Sequence, residues 1–190
     1  MKAQLDAMSI YAERIDQAEQ EIENLRKLLD QPPLPGMTRV NAPVIGLHQT
    51  EGLLEVGAGT NKGIQPNMAV VNGQGLVGLV QTVTTDECQV ALLTTLNINV
   101  GGVDASRKPP ETGLLSGRGG PVLTMTLFNS KSTVASGDRI LTEGVSKHIP
   151  AGIDIGRVIS VEDDPYTGTR KASVDPAVDV GILREVQILK

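Results

Sequence analysis

The chain is short of aromatic rings: its 190 residues include one Phe, two Tyr and no Trp. Single-stranded nucleic acid and sugar surfaces are commonly gripped by stacking on exposed rings, and this composition supplies almost none. A formal net charge of −5 adds to that, because phosphate backbones are repelled on balance. Nucleic-acid binding is therefore not expected. A single cysteine, Cys88, excludes an intramolecular disulfide. Its neighbours Val90-Ala91-Leu92-Leu93 mark it as a small buried core residue rather than a reactive thiol, and it leaves the compartment open. Two histidines, His48 and His148, with one Cys form no transition-metal constellation, and no cofactor is expected. No run of 18 apolar residues and no signal peptide is present, so no membrane span is expected in these residues.

What the chain does have is an unbroken heptad at its start. Met1, Met8, Ile15, Ile22 and Leu29 stand seven apart, and Gln4, Tyr11, Ala18 and Leu25 fill the positions three residues later. That seam predicts a coiled-coil helix over residues 1–30. In a parallel, in-register pair, Arg14 faces Glu19 of the second helix and Glu21 faces Arg26. Ile at one seam position with Leu at the other favours a parallel dimer. The dimerisation seam is thus Met8, Tyr11, Ile15, Ala18, Ile22, Leu25 and Leu29. A helix folded back on its own globular domain is the alternative. The heptad is in full register at residue 1, as though the helix continued something longer.

Gln31-Pro32-Pro33-Leu34-Pro35-Gly36 stops the helix and makes a semi-rigid Pro-rich linker over residues 31–39. Beyond it the texture is Gly-rich and dominated by Val, Ile, Leu and Thr, which predicts short strands and many turns. Asn72-Gly73-Gln74-Gly75 between two apolar runs is a strong hairpin signal. A first group of about six strands ends near Val103. A polar, Pro-rich stretch over residues 104–110 is the natural boundary, and a second group of similar size follows. The fold expected is therefore mainly β: a helix, then two small six-stranded-type β-barrels over residues 40–106 and 107–190. The last strand, near residues 185–189, closes the second barrel or returns to the first. Gly75-Leu76-Val77-Gly78-Leu79-Val80 and Asn67-Met68-Ala69-Val70-Val71 have faint counterparts at residues 152–158 and 138–142, as though one unit were duplicated. Closure into barrels removes the edges that so many short strands would expose.

A two-barrel chain raises chymotrypsin-like proteases. Ser116-Gly117-Arg118-Gly119-Gly120-Pro121 mimics a nucleophile loop, but Arg118 stands where the serine must be, and neither histidine has the required context. Glu162-Asp163-Asp164 lacks calcium-loop spacing and reads as part of a solvated hairpin. Gly57-Ala58-Gly59-Thr60-Asn61-Lys62-Gly63 lacks the Gly-Lys-Ser/Thr ending of a phosphate loop and reads as a turn. No catalytic residue is identified, and an enzyme is not expected. Leu34, Met37 and Ile149 are the candidate exposed apolar residues in loops, with strand edges as further contact surfaces; Phe128 is expected in the core.

The ordered series of motifs resembles the bacterial rod shape-determining MreC family. Gly59-Thr60-Asn61-Lys62-Gly63-Ile64-Gln65-Pro66-Asn67-Met68-Ala69-Val70-Val71 is similar to that family's Gly-x-x-x-Gly-Val-x-x-Gly-Met-x-Val run, with Asn67 in place of a usual Gly. Gly75-Leu76-Val77-Gly78-Leu79-Val80 resembles its Gly-Leu-Val-Gly-x-Val motif. Residues 134–142, Gly144, Pro150-Ala151-Gly152 and Ile155-Gly156-Arg157-Val158 resemble its second-barrel signature, with Thr142-Glu143-Gly144 replacing Thr-Ser-Gly. Asp175-Pro176-Ala177-Val178-Asp179 also matches. The resemblance implies a non-catalytic periplasmic scaffold of cell elongation, anchored by a membrane helix upstream of residue 1 and homodimeric. The implied partners are MreD, MreB and a class B penicillin-binding transpeptidase with its glycosyltransferase partner. An adaptor of a secretion or efflux system and a two-barrel hydrolase are the alternatives.

Overall fold

Alternation of apolar and polar residues shapes the chain from Arg39 onward. The computed structural model describes residues 37–164 and 168–190. The helix expected over residues 1–30, the linker as far as Gly36 and the hairpin tip 165–167 lie outside the described residues. The strands, in chain order, are β1 Arg39–His48, β2 Leu53–Val56, β3 Ala69–Val71, β4 Leu76–Val83, β5 Cys88–Leu92 and β6 Asn99–Asp104. They continue as β7 Glu111–Gly117, β8 Leu123–Leu127, β9 Arg139–Thr142, β10 Asp154–Asp163, β11 Arg170–Pro176 and β12 Glu185–Leu189.

These strands close into two barrels, one ordered β1-β12-β3-β4-β5-β2 and the other β10-β11-β8-β7-β6-β9. The period of two puts every second side chain inside. In β8, Leu123, Met125 and Leu127 are buried while Thr124 and Thr126 are half-buried on the outside. In β12, Val186 and Ile188 turn inward between Glu185 and Gln187. With so few rings, aliphatic side chains fill both interiors: Leu54, Val56, Val70, Val90 and Ile188 in the first barrel, Met125, Ile140, Ile155 and Val174 in the second, all fully buried. Burying each such side chain contributes about 1.5–3 kcal/mol.

The strand order corrects two expectations, the domain boundary and the strand edges as contact surface, and resolves one left open. The strand expected over residues 97–103, as the last of the first group, is β6, Asn99–Asp104, and it pairs with β7 and β9 in the second barrel. The Pro-rich stretch 104–110 is therefore a loop within that barrel, not the boundary at 106/107. Proline and glycine mark where strands stop, and carry no signal of which strands pair. The last strand, left open between the barrels, returns to the first: β12 lies between β1 and β3. Closure also means that strand edges are not the contact surface they were expected to be, because each strand has a hydrogen-bonded neighbour on both sides.

The repeated sequence pattern has a structural counterpart. Asn67 N–H donates to the Val80 carbonyl at 2.7 Å, and Val80 N–H returns to Met68 O at 2.9 Å. In the second barrel Gly137 N–H donates to Val158 O at 2.7 Å, and Val158 N–H returns to Asp138 O at 2.9 Å. Asn67 and Gly137 both have positive φ, 70° and 94°.

Candidate partner-binding surface

In the loop that mimics a protease nucleophile loop, the polar side chains are turned to neighbouring strands. Ser116 Oγ donates to Asn99 Oδ1 at 2.7 Å, and Arg118 Nε donates to Thr124 Oγ1 at 3.3 Å. His48 lies at the end of β1 on the other barrel, with Nε2 3.2 Å from Glu55 Oε1, a partner that no local sequence pattern marks. His148 is exposed in a loop, and its backbone carbonyl accepts from Ala69 N–H at 3.3 Å, joining the second barrel to the first. Among the described residues no group of three or more His, Cys, Asp or Glu side chains is placed to hold a metal ion. Cys88 is buried, and that burial pushes its thiol up to about 11.

A cluster of charged side chains around buried Asp104 pins residues 104–111 to residues 132–138. Asp104 is wholly buried. Ser106 donates to its Oδ1 through both N–H and Oγ, while Oδ2 makes no hydrogen bond and lies 3.5 Å from Arg107 Nε. Arg107 donates through Nε and a terminal nitrogen to Asp138 Oδ2 at 3.1 and 2.6 Å. Burial pushes the Asp138 carboxyl up, but the Ala135 N–H and Arg107 outweigh it and hold the group below the usual carboxylate range. Glu111 is held low chiefly by the Thr133 N–H, which donates to it at 3.1 Å. Arg107 was not singled out in the sequence, and its spacing three residues after Asp104 is the signal that was there to read.

The exposed apolar residues differ from those expected. Phe128, expected in the core, is 67% exposed. Period two explains it: with Leu123, Met125 and Leu127 inside, residue 128 must point out. Phe128 N–H donates to Thr112 O at 3.1 Å, and Thr112 pairs with Val103, which pairs with Leu141. These residues form a row on the outer face of the second barrel, with Leu114 exposed beside it. Ile149, expected exposed, is only 8% exposed. Met37 is half-buried, and Leu34 lies outside the described residues.

Where the barrels meet, a cleft of about 460 Å³ opens. Its walls come from Gln74, Leu76 and Val77 and from Leu92-Leu93-Thr94 of the first barrel, Pro121 of the second, and the Asp175–Val180 segment that crosses between them. Between Gln74 and Leu76 a glycine is required: a Cβ on Gly75 would stand 2.3 Å from the Asp154 carbonyl oxygen. The dimerisation residues Met8, Tyr11, Ile15, Ala18, Ile22, Leu25 and Leu29, and the ion-pair residues Arg14, Glu19, Glu21 and Arg26, lie outside the described residues.

Comparison with known proteins places these barrels in context. The family model described as "Rod shape-determining protein MreC, barrel core" matches residues 46–190. The cell shape-determining protein MreC of Listeria monocytogenes is 26% identical over 196 residues, a match that takes in 100% of this chain and 66% of the relative. The chain thus spans just under two thirds of that relative's length. A solved structure of Listeria monocytogenes MreC superposes with a TM-score of 0.74 at 27% identity, covering 100% of this chain and 93% of the other. The MreC chain of a Helicobacter pylori complex with the penicillin-binding protein PBP2 has a TM-score of 0.66 at 17% identity, covering 81% of this chain and 98% of that one. At that identity the likeness is one of fold.

Proposed function

Since the chain belongs to the rod shape-determining MreC family, we propose that it is a non-catalytic scaffold of bacterial cell elongation that organises peptidoglycan synthases. The observation that carries this reading is the family match over residues 46–190, which takes in the whole second barrel and the first from Gly46 onward. The barrels supply rigid surfaces with exposed apolar side chains and, among the described residues, no metal-ligating cluster. The partner in this reading is a class B penicillin-binding transpeptidase with its glycosyltransferase partner. A relative of the same fold forms a complex with a penicillin-binding protein. MreD in the membrane and MreB filaments inside the cell complete the proposed assembly.

The chain acts in this proposal on the extracytoplasmic face of the cytoplasmic membrane, held there by a membrane helix upstream of residue 1. The heptad over residues 1–30 brings two copies together as a parallel coiled coil, and the Pro-rich segment spaces the barrels from it. The experiment that tests the scaffold role is binding of the chain to the extracytoplasmic region of its own organism's class B transpeptidase, with residues 37–190 tested in parallel. Binding by both places the contact on the barrels. Binding by the longer chain alone makes the helix, or the avidity of a dimer, necessary. Absence of binding by either rejects this partner.

A further inference from the structure

The cleft between the barrels combines three features. Its floor is apolar, built by Leu76, Val77, Leu93 and Val180. Its volume, about 460 Å³, lies in the range of sites that seat a small ligand or a large side chain. Its crossover wall carries two exposed carboxylates, Asp175 and Asp179. Among the described residues neither carboxylate has a cation within ion-pair distance. Asp179 Oδ1 accepts from Gly181 N–H at 2.9 Å and so is held in place. Arg157 on β10 is the register partner of Asp175 across the sheet but forms no ion pair with it, and Arg118, near Pro121, is turned to Thr124.

The lip extends the apolar surface. Gly119 N–H donates to Thr94 O at 2.8 Å, which draws the loop before Pro121 against the first barrel. Leu96, two residues after Thr94, is 62% exposed beside Gly119. Two distant stretches of the sequence, Leu76-Val77 and Asp175-Pro176-Ala177-Val178-Asp179, therefore converge on one concavity. An apolar floor beside two carboxylates that make no ion pair complements an apolar side chain flanked by Lys or Arg.

We propose that the inter-barrel cleft is a docking site for a basic segment of the synthase partner, which inserts one apolar side chain over Leu76 and Val180 while its Lys or Arg neighbours pair with Asp175 and Asp179. This rests on the scaffold reading above and names the surface through which it acts.

The test uses the full chain and the extracytoplasmic region of the organism's class B transpeptidase, with affinity measured by biolayer interferometry at 50 and 300 mM salt. Four chains are compared: the natural one, Asp175→Lys, Asp175→Asn and Phe128→Ser, with thermal melts to verify folding. The neutral Asp175→Asn keeps the test decisive if the reversal disturbs the crossover. The expected result is affinity that falls with salt, a loss of tenfold or more in Asp175→Lys, a smaller loss in Asp175→Asn, and a change within twofold in Phe128→Ser. Natural binding untouched by either Asp175 change, or lost in Phe128→Ser alone, overturns the cleft proposal and leaves the scaffold reading standing. No binding by the natural chain overturns the scaffold reading and this proposal with it. Sedimentation of the chain alone separates the other occupant: dissociation of self-associated chains by Asp175→Lys identifies a second copy in the cleft and overturns the synthase assignment.

Discussion

Asn67 in the first barrel and Gly137 in the second hold the same place: each has positive φ, and each donates its N–H to a carbonyl of the long neighbouring strand at 2.7 Å. The left-handed conformation costs an ordinary L-residue about 1–2 kcal/mol, and asparagine is among the few that adopt it routinely. That is why Asn67 can stand where related sequences are expected to carry glycine. Asn67→Gly is expected to leave stability within about 1 kcal/mol, whereas Asn67→Val should lower it by about 1–2 kcal/mol. Denaturant unfolding of the two variants side by side checks this, and equal stability of Val and Gly at 67 would reject the equivalence.

Asp138 and Glu111 make the second barrel acid-sensitive. Both carboxyls are held below their ordinary values in the folded chain. A depressed folded pKa contributes stability that is complete above the unfolded value, about 4 for these groups. That stability is lost as pH falls through the lower folded values. Thermal melts should therefore be flat from about pH 7 to 5 and drop below about pH 4. Arg107→Ala should lower the melting temperature at neutral pH, since it leaves buried Asp104 without its nearby cation, and should flatten the acid drop. An unchanged pH profile in that variant would show that the arginine does not hold the loops together.

Ile188 sits in the strand that returns from the second barrel to close the first. It is fully buried, so Ile188→Ala is expected to cost about 2–5 kcal/mol. Removing residues 185–190 takes away the neighbour of both β1 and β3 and should abolish cooperative unfolding of the first barrel. A truncated chain that melts like the natural one would contradict the observed strand order.

Phe128 offers the opposite case. A buried Phe→Ala change typically costs about 3–5 kcal/mol, but at 67% exposure Phe128→Ala should shift stability by no more than about 0.5 kcal/mol. A large loss in a chemical denaturation curve would return Phe128 to the core.

The heptad proposal is tested by charge. Ile15→Asp or Ile22→Asp puts an unpaired carboxylate into the seam, where burial costs several kcal/mol, and is expected to convert a dimer to a monomer by light scattering. Dimers that persist in both variants would move the interface to the barrels.

Cys88 should resist modification. With its thiol pushed up to about 11 by burial, it carries almost no thiolate at pH 8 and is expected to react with a thiol reagent only after unfolding. Rapid labelling of the folded chain would place it at the surface.

Local pattern made the strands legible. The alternation in Leu123-Thr124-Met125-Thr126-Leu127, the Asn72–Gly75 turn and the apolar setting of Cys88 all follow from side chains two residues apart or from one turn's geometry. The same rule, applied strictly, places Phe128 outside; residue type alone suggested the core. The absence of rings and the negative charge bounded the function in the same local way.

Pairing was a different matter. That Asn99–Asp104 joins the second barrel, that Glu185–Leu189 closes the first, and that Leu76-Val77 meets Asp175–Val180 in one cleft were decided only in three dimensions. A strand's alternation says which face turns inward but not which neighbour it seeks. Its partner is chosen by which closure buries the most aliphatic surface while satisfying both edges, and that depends on all the strands at once.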